Sequence, residues 1–282
     1  MLPESSTISL IGLISGLSPI ILLLLQSFIK INNFFISFGL SFGIVLLSYL
    51  FVISLYPKHD NFNKSNFLSA LLLGFIATFA VVLILKLPYH FIFGIYLIQL
   101  CLFHWSEFFV TSIKNPKGIK IDFYMLNHST EYILALIFSV VEYWLEKTYF
   151  STFFLKYQWL TFLGLAISIL GEVLRKISLW TAGTNFNHYV EYEKRQDHLL
   201  VTHGVYKWFR HPSYVGWFYF SIGTQIALLN PVCFVGYSIA SWKFFSDRIY
   251  QEEKGLIRFF GSDYIAYQLA VGTGLPFIKG YV

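Results

Sequence analysis

Charge is the scarcest commodity in this chain: ionisable acids and bases fill only 12% of its 282 positions, while hydrophobic residues fill 56% and the mean hydropathy is +0.61. That balance excludes an ordinary soluble domain. Cysteine is equally sparse. Cys101 and Cys233 both sit in apolar segments, which argues against a disulfide framework and leaves too few thiols for a metal centre. No Cys/His cluster has zinc spacing, and no metal is expected. Nucleotide signatures are missing too: there is no P-loop, and Gly272-Thr273-Gly274 lacks the third glycine of a dinucleotide turn and runs into Pro276. The one pair of adjacent carboxylates, Glu252-Glu253, suits hydrolysis poorly, because neighbours on a helix diverge by about 100°.

What is present is a succession of apolar runs long enough to cross roughly 30 Å of hydrocarbon. They cover residues 8–29, 34–55, 67–86, 90–112, 129–146, 158–180, 213–229 and 232–247, separated by Asn32-Asn33, Pro57 with Lys58 and Asp60, Pro88, Asn115-Pro116-Lys117-Gly118 and Asn230-Pro231. The first run has no basic stretch before it and no small-residue cleavage signature after it, and reads as a retained span. The fold class expected is all-α: a polytopic membrane protein with about eight transmembrane helices and a cytosol-facing C-terminal catalytic region. Loop alternation puts Lys30, Lys86, Lys147 and Lys156 on one side and roughly four times as many Lys and Arg on the other, so the richer side and both termini are expected in the cytosol. The net charge of +5 is thereby explained by orientation, and no nucleic acid is expected as a partner. No internal repeat or pair of broken helices suggests a transporter.

Composition changes after residue 180. Residues 1–180 read as scaffold and lipid-access helices; residues 181–282 read as the catalytic region, with a cytosolic segment, a transmembrane hairpin over 213–247 and a cytosolic tail. Pro212 stands where a helix tolerates its missing N–H, which places Arg210 and His211 at a helix N-terminus. Seventeen residues before Asn230 is Ser213 and seventeen after Pro231 is Arg248, so both lie about 26 Å from the turn, near the cytosolic boundary. His211, Tyr214, Arg248 and Glu252 are thus able to share one pocket, although Arg248 and Glu252, an i, i+4 pair, would also read as a solvated salt bridge. Trp208, Trp217, Tyr219 and Trp242 read as an interface belt. Of the carboxylates near spans, Glu172 with Arg175 and Lys176 is expected to line the site; Glu107, Glu131 and Glu142 are expected to pair internally.

Several stretches resemble one family. Thr181-Ala182-Gly183 with Asn185-Phe186-Asn187-His188, His198-Leu199-Leu200-Val201-Thr202 with Gly204-Val205-Tyr206, and Arg210-His211-Pro212-Ser213-Tyr214-Val215-Gly216 are similar to isoprenylcysteine carboxyl methyltransferases. Asp247-Arg248, Glu252-Glu253, Phe259-Phe260-Gly261, Tyr264 and Thr273 to Gly280 extend the resemblance over the last hundred or so residues. It implies an S-adenosylmethionine site outside any Rossmann fold, formed by Glu191, His198, Leu199, Leu200, Val201, Tyr206, His211, Pro212, Ser213, Tyr214 and Glu252, with Arg248 as the catalytic, substrate-contacting arginine. Glu191 departs from the glutamine expected of relatives. The implied reaction is methyl esterification of a C-terminal prenylcysteine carboxylate on CaaX proteins, such as small GTPases, after loss of their last three residues. The implied location is the endoplasmic reticulum membrane, with lipid as the surrounding partner and the active site facing the cytosol. Two rivals share part of the C-terminal pattern: a phospholipid N-methyltransferase, whose amine nucleophile calls for a base rather than an arginine, and an NADPH-dependent sterol reductase.

Overall fold

The computed structural model describes residues 2–29, 34–55, 60–127, 129–150, 152 and 156–281, and these are helical with no strand among them. Every expected span lies on a helix: α1 (Glu4–Ile29), α2 (Phe34–Leu55), α3 (Asp60–Lys86), α4 (Phe91–Lys114), α5 (Thr130–Tyr149), α6 (Gln158–Ala182), α7 (Pro212–Leu228) and α8 (Pro231–Phe260), followed by a short α9 (Ser262–Ala270). Asn61–Lys86 and Pro88–Lys114 are long and apolar enough to cross a membrane on length and composition alone. The expected breaks at Asn32-Asn33 and Pro57-Lys58, and the charge at Lys30, fall outside the described residues.

Two helices outrun their expected limits. The α3 helix begins at Asp60 because the polar residues before the apolar run have partners on α1: Asn63 Nδ2 donates to Glu4 at 2.9 Å and Asn66 Nδ2 to the Ser5 carbonyl at 2.8 Å. The α8 helix continues to Phe260 because nothing stops it before Gly261, at φ +55°. Its last turns leave the expected span on a rigid rod and carry Arg248, Glu252 and Glu253 with them.

The chain divides into two compact units, Met1–Leu126 and Asn127–Val282. In the first, α1 and α3 touch through backbone. A methyl added at Gly12 would stand 2.6 Å from the Phe67 carbonyl oxygen, and one at Gly16 2.4 Å from that of Leu71. Lipid gives two apolar helices no hydrophobic reason to associate, so close approach through small residues and interhelical hydrogen bonds must hold them. The hydrogen bonds converge on Tyr124, which stacks on Phe108 at 4.2 Å and shares its hydroxyl with Ser9 at 2.6 Å and Asn66 Oδ1 at 2.8 Å.

The second unit repeats the device between α6 and α7. Gly164, Ser168 and Gly171 on one helix face Gly216, Gly223 and Ala227 on the other; a methyl at Gly171 would lie 2.5 Å from the Phe220 nitrogen. At the far end of α7, Ser139 and Asn230 close a buried amide network on Gln225 Oε1 at 2.9 and 3.1 Å. Glu142 of α5 accepts the Val232 and Cys233 N–H groups, each at 2.7 Å, so this carboxylate caps α8 from a neighbouring helix. Both cysteines are free and buried.

Replacing Gly171 by Leu should therefore separate α6 from α7 and lower the thermal unfolding midpoint in detergent, at a cost of about 1–3 kcal/mol or more from overpacking. Gly43→Leu, where nothing lies within 4 Å of the added carbon, should leave the midpoint near that of the parent; equal melting of the two variants would contradict this account of the interface.

Candidate functional site

The site begins where α6 stops. Gly183 takes φ +57°, a left-handed turn that releases the chain into an irregular segment running to His211. Such a segment must find partners for its own polar groups, and two asparagines supply them. Asn185 accepts the Leu199 N–H at 2.8 Å, tying the start of the segment to its middle, while Asn187 accepts the Tyr189 N–H at 3.0 Å and donates to Glu191 at 2.8 Å. Glu191 also pairs with Arg195 at 3.0 Å and lies 3.4 Å from His198 Nδ1.

Pro212 opens α7 at its first turn, as its fixed φ allows, and Arg210 and His211 precede it in buried positions. Opposite them, Glu252 and Glu253 point in different directions, as adjacent helix positions must. Glu253 is wholly buried and accepts from Arg210 Nε at 2.8 Å, His211 Nε2 at 3.0 Å, Tyr264 at 3.1 Å, Gln268 at 3.0 Å and the Tyr281 N–H at 2.8 Å. Burial by itself would raise this carboxyl, but the His211 and Arg210 donors outweigh it and hold it down at about 2. Arg210 spends its remaining donors on the carbonyls of Gln268, Val271 and Lys279, at 3.1 Å for Gln268 and 3.0 Å for Lys279. One ion pair thus fastens α7, α8, α9 and the C-terminal tail together. Gly280 is obligatory beside it: φ is +87°, and an added methyl would fall 1.9 Å from Glu253 Oε2.

Glu252 faces the other way, into a cleft of about 640 Å³ counting its open mouth. Of the residues expected at a cofactor, His198, Leu199, Leu200, Val201, Tyr206, His211, Ser213, Tyr214 and Glu252 all line it. Glu191 and Pro212 do not; Glu191 stands behind His198 and Pro212 starts the helix that brings Ser213 and Tyr214 to the wall. Burial lowers the His198 pKa against the opposing pull of Glu191, which favours its neutral form. Burial also raises the Tyr206 and Tyr264 phenols, and Tyr267 to about 12, so all three are neutral groups at physiological pH. Phe186, Leu256 and Phe260 complete an aromatic and aliphatic wall around one half-buried carboxylate.

Arg248 lies beside this cleft rather than in its lining. Its Nε donates to the Tyr214 hydroxyl at 2.8 Å, another donor reaches the His188 carbonyl, and the Tyr214 hydroxyl in turn donates to Glu252. The i, i+4 pair is therefore joined through a phenol supplied by α7. Tyr214 is itself clamped between the parallel rings of His211 at 5.4 Å and Phe245 at 5.1 Å.

One expectation is corrected. Glu172, Arg175 and Lys176 do not line the cleft. Arg175 is buried between helices, donating to the Ser213 carbonyl at 3.2 Å and lying 4.6 Å from the Trp217 ring centre, so it braces the start of α7 from behind. Trp217 correspondingly turns to Arg175, while Trp208 is exposed. The sequence places Arg210 at a helix N-terminus but gives neither it nor Glu253 a partner, and it does not single out Leu256 or Tyr267; the divergence of about 100° within Glu252-Glu253 is the available clue that only one of the two could face the cleft. Among the described residues no three His, Cys, Asp or Glu side chains converge as metal ligands would.

A family model for isoprenylcysteine carboxyl methyltransferases matches residues 162–258. The chain is 56% identical to the protein-S-isoprenylcysteine O-methyltransferase of Tribolium castaneum over 190 residues, 67% of each chain. It is 52% identical to that of Homo sapiens over 188 residues, 67% of this chain and 66% of the human one. The match to the Saccharomyces cerevisiae enzyme is 43% over 191 residues and takes in 80% of that relative. The alignment thus spans about two thirds of the animal relatives. A solved structure of the eukaryotic intramembrane Ras methyltransferase superposes with a TM-score of 0.87 at 43% identity, covering 100% of both chains.

Acid should undo the Glu253 cluster. Its carboxylate is favoured in the folded state, with a pKa depressed from about 4.3 to about 2, so its contribution is complete above the ordinary carboxylate range and is lost as pH falls from there towards 2. Thermal midpoints measured between pH 6 and pH 2.5 should fall steeply for the parent, by the equivalent of a few kcal/mol. Glu253→Gln should be less stable at neutral pH and change far less with acid.

Proposed function

The chain belongs to the isoprenylcysteine carboxyl methyltransferase family, and from that premise we infer that it esterifies the C-terminal carboxylate of prenylcysteine on processed CaaX proteins, with S-adenosylmethionine as methyl donor. The observation that carries this reading is the junction of two sites at one phenol: Tyr214 links Glu252, inside the cleft, to Arg248, just outside it. A transferase needs its donor and acceptor sites contiguous and separately lined, and here they share a wall.

The cleft's donor set fits the proposed cofactor. Glu252 and the ring of Tyr206 suit a sulfonium and an ammonium; the N-terminus of α7, with His211 and Ser213, suits a carboxylate; His198 to Val201 with Phe260 suit an adenine. Glu191 would act at one remove, by seating His198. When bound, S-adenosylmethionine supplies an electrophilic methyl group. An α-carboxylate, with a pKa near 3.5, is already anionic at neutral pH, so the protein need not supply a base. Its work is placement and exclusion of water.

Arg248 suits the carboxylate. Tyr214 and His188 hold its guanidinium by Nε and one Nη, which fixes its plane and directs what remains of its donor edge outward. Contact through that edge leaves one carboxylate oxygen free to attack. Without Arg248 the carboxylate would be misplaced, and the loss should fall on transfer rather than on cofactor binding.

The membrane disposition follows the same reading. All eight long helices cross the bilayer, both termini and the cleft face the cytosol, and the protein resides in the endoplasmic reticulum, where lipid carries the prenyl chain to a site at the bilayer boundary. Residues 181–282 form the catalytic region on the scaffold of residues 1–180.

Transfer of labelled methyl from S-adenosylmethionine to N-acetyl farnesylcysteine, with phosphatidylethanolamine as a control acceptor, tests the reaction. Base-labile product from the prenylated acid alone is expected; product from the lipid amine alone would instead favour a phospholipid methyltransferase. Arg248→Ala should lose about 100-fold or more in turnover while still binding S-adenosylhomocysteine, whereas Glu252→Ala should weaken that binding, read by titration calorimetry. The opposite pattern would reassign both residues.

A further inference from the structure

The C-terminal tail contains a contradiction for a segment facing water. Phe277 is 94% exposed, and its backbone holds φ +63°, a left-handed conformation that a bulky apolar residue rarely adopts. Strain of this kind persists only where the surroundings enforce it, and here they do. The residues on either side are fixed: Leu275 and Ile278 are buried in one cluster with Tyr214, Val215, Phe218 and Phe245, and Trp242 Nε1 donates to the Pro276 carbonyl at 2.7 Å. The tail is clamped so that Phe277 projects between two buried side chains.

The partners of the clamp set its depth. Arg248 stands seventeen residues beyond Pro231, about 26 Å along α8, at the expected hydrocarbon boundary; Trp242 stands eleven residues beyond it, about 17 Å along. The turn at Pro276-Phe277 is held at Trp242, and therefore lies more than one helical turn on the hydrocarbon side of Arg248. Backbone at that depth is tolerated where its polar groups find partners, and three carbonyls of this turn have them. Trp242 serves the Pro276 carbonyl, Thr273 Oγ1 donates to the Ile278 carbonyl at 2.6 Å, Arg210 donates to that of Lys279 at 3.0 Å, and Pro276 has no N–H to satisfy.

We propose that the segment from Thr273 to Lys279 is a re-entrant loop that dips below the cytosolic boundary of the bilayer and inserts Phe277 among lipid acyl chains, anchoring the C-terminal tail to the membrane. The partner is the bilayer itself. Because Arg210 binds both Glu253 and the Lys279 carbonyl, the anchor is mechanically joined to the cluster that shapes the cleft. In water an exposed phenylalanine on a strained turn serves nothing; in hydrocarbon it is favoured, with Lys279 at the turn's exit where a long cationic side chain reaches back to the headgroups. The inference rests on α8 crossing the bilayer.

The test is spin-label depth measurement on the full chain in phospholipid nanodiscs. In a background of Cys101→Ala and Cys233→Ala, single cysteines are placed at Phe277, at Ile239 on the exposed face of α8 and at Lys254 on its distal, exposed end, and each label is relaxed by oxygen or by a water-soluble nickel chelate. The oxygen-to-nickel accessibility ratio at 277 should resemble that at 239 and exceed that at 254 several-fold. A ratio at 277 matching 254 while 239 stays shielded would overturn the re-entrant loop and leave the spanning helix intact. A nickel-accessible 239 would overturn both. Phe277→Cys carrying a label that abolishes folding is met by Phe277→Trp in brominated-lipid nanodiscs, where fluorescence beyond that of the parent should be quenched if the loop is immersed and unquenched if it is not.

Discussion

Burying one carboxylate commits the protein to surround it with donors, and the unit from Asn127 to Val282 is organised by that commitment. Glu253 takes five hydrogen bonds from three parts of the chain: the residues before α7, the α9 helix and the C-terminal tail. An unpaired charge there would be very costly, so each donor is effectively obligatory. That requirement draws the tail back onto the helices, holds His211 and Tyr264 at the cleft, and forces glycine at position 280. The wall that carries the proposed chemistry is a consequence of satisfying a residue that does no chemistry itself.

The bilayer imposes the same economy elsewhere. Where lipid offers no hydrophobic drive to associate, helices meet through glycine and serine and are locked by short polar networks: Tyr124 with Ser9 and Asn66 in one unit, Gln225 with Ser139 and Asn230 in the other. Carboxylates follow suit. Glu142, which a hydropathy reading would count as a liability, terminates the first turn of α8 and so fixes where the hairpin that carries the site begins.

Methyl transfer to a carboxylate makes modest demands on acid–base chemistry and strict ones on position. The arrangement reflects this: Tyr214 is sandwiched between His211 and Phe245, and its hydroxyl is held by Arg248 on one side and engages Glu252 on the other. Nothing in that chain must change protonation. A rigid phenol between a cleft and a cation is a means of keeping the two proposed binding sites in register.

The sequence by itself determined the helices, because hydrocarbon thickness sets their length and proline and asparagine mark their turns, and it determined the hairpin geometry that brings Ser213 level with Arg248, since both follow from counting along a regular helix. It also carried nine of the cleft residues through a family pattern, His198 to Val201, His211, Ser213 and Tyr214 among them. What it did not contain were relations between distant side chains. That Glu253 rather than Glu252 is buried, that Arg248 meets Glu252 through Tyr214 instead of directly, that Arg175 braces α7 while Glu172 and Lys176 stay off the cleft, and that the tail returns to Trp242 were decided only by the tertiary structure. The physical reason is that hydropathy and periodicity report how each residue meets its solvent, whereas the partner of a buried charge is chosen by whichever groups the packed helices bring within about 3 Å.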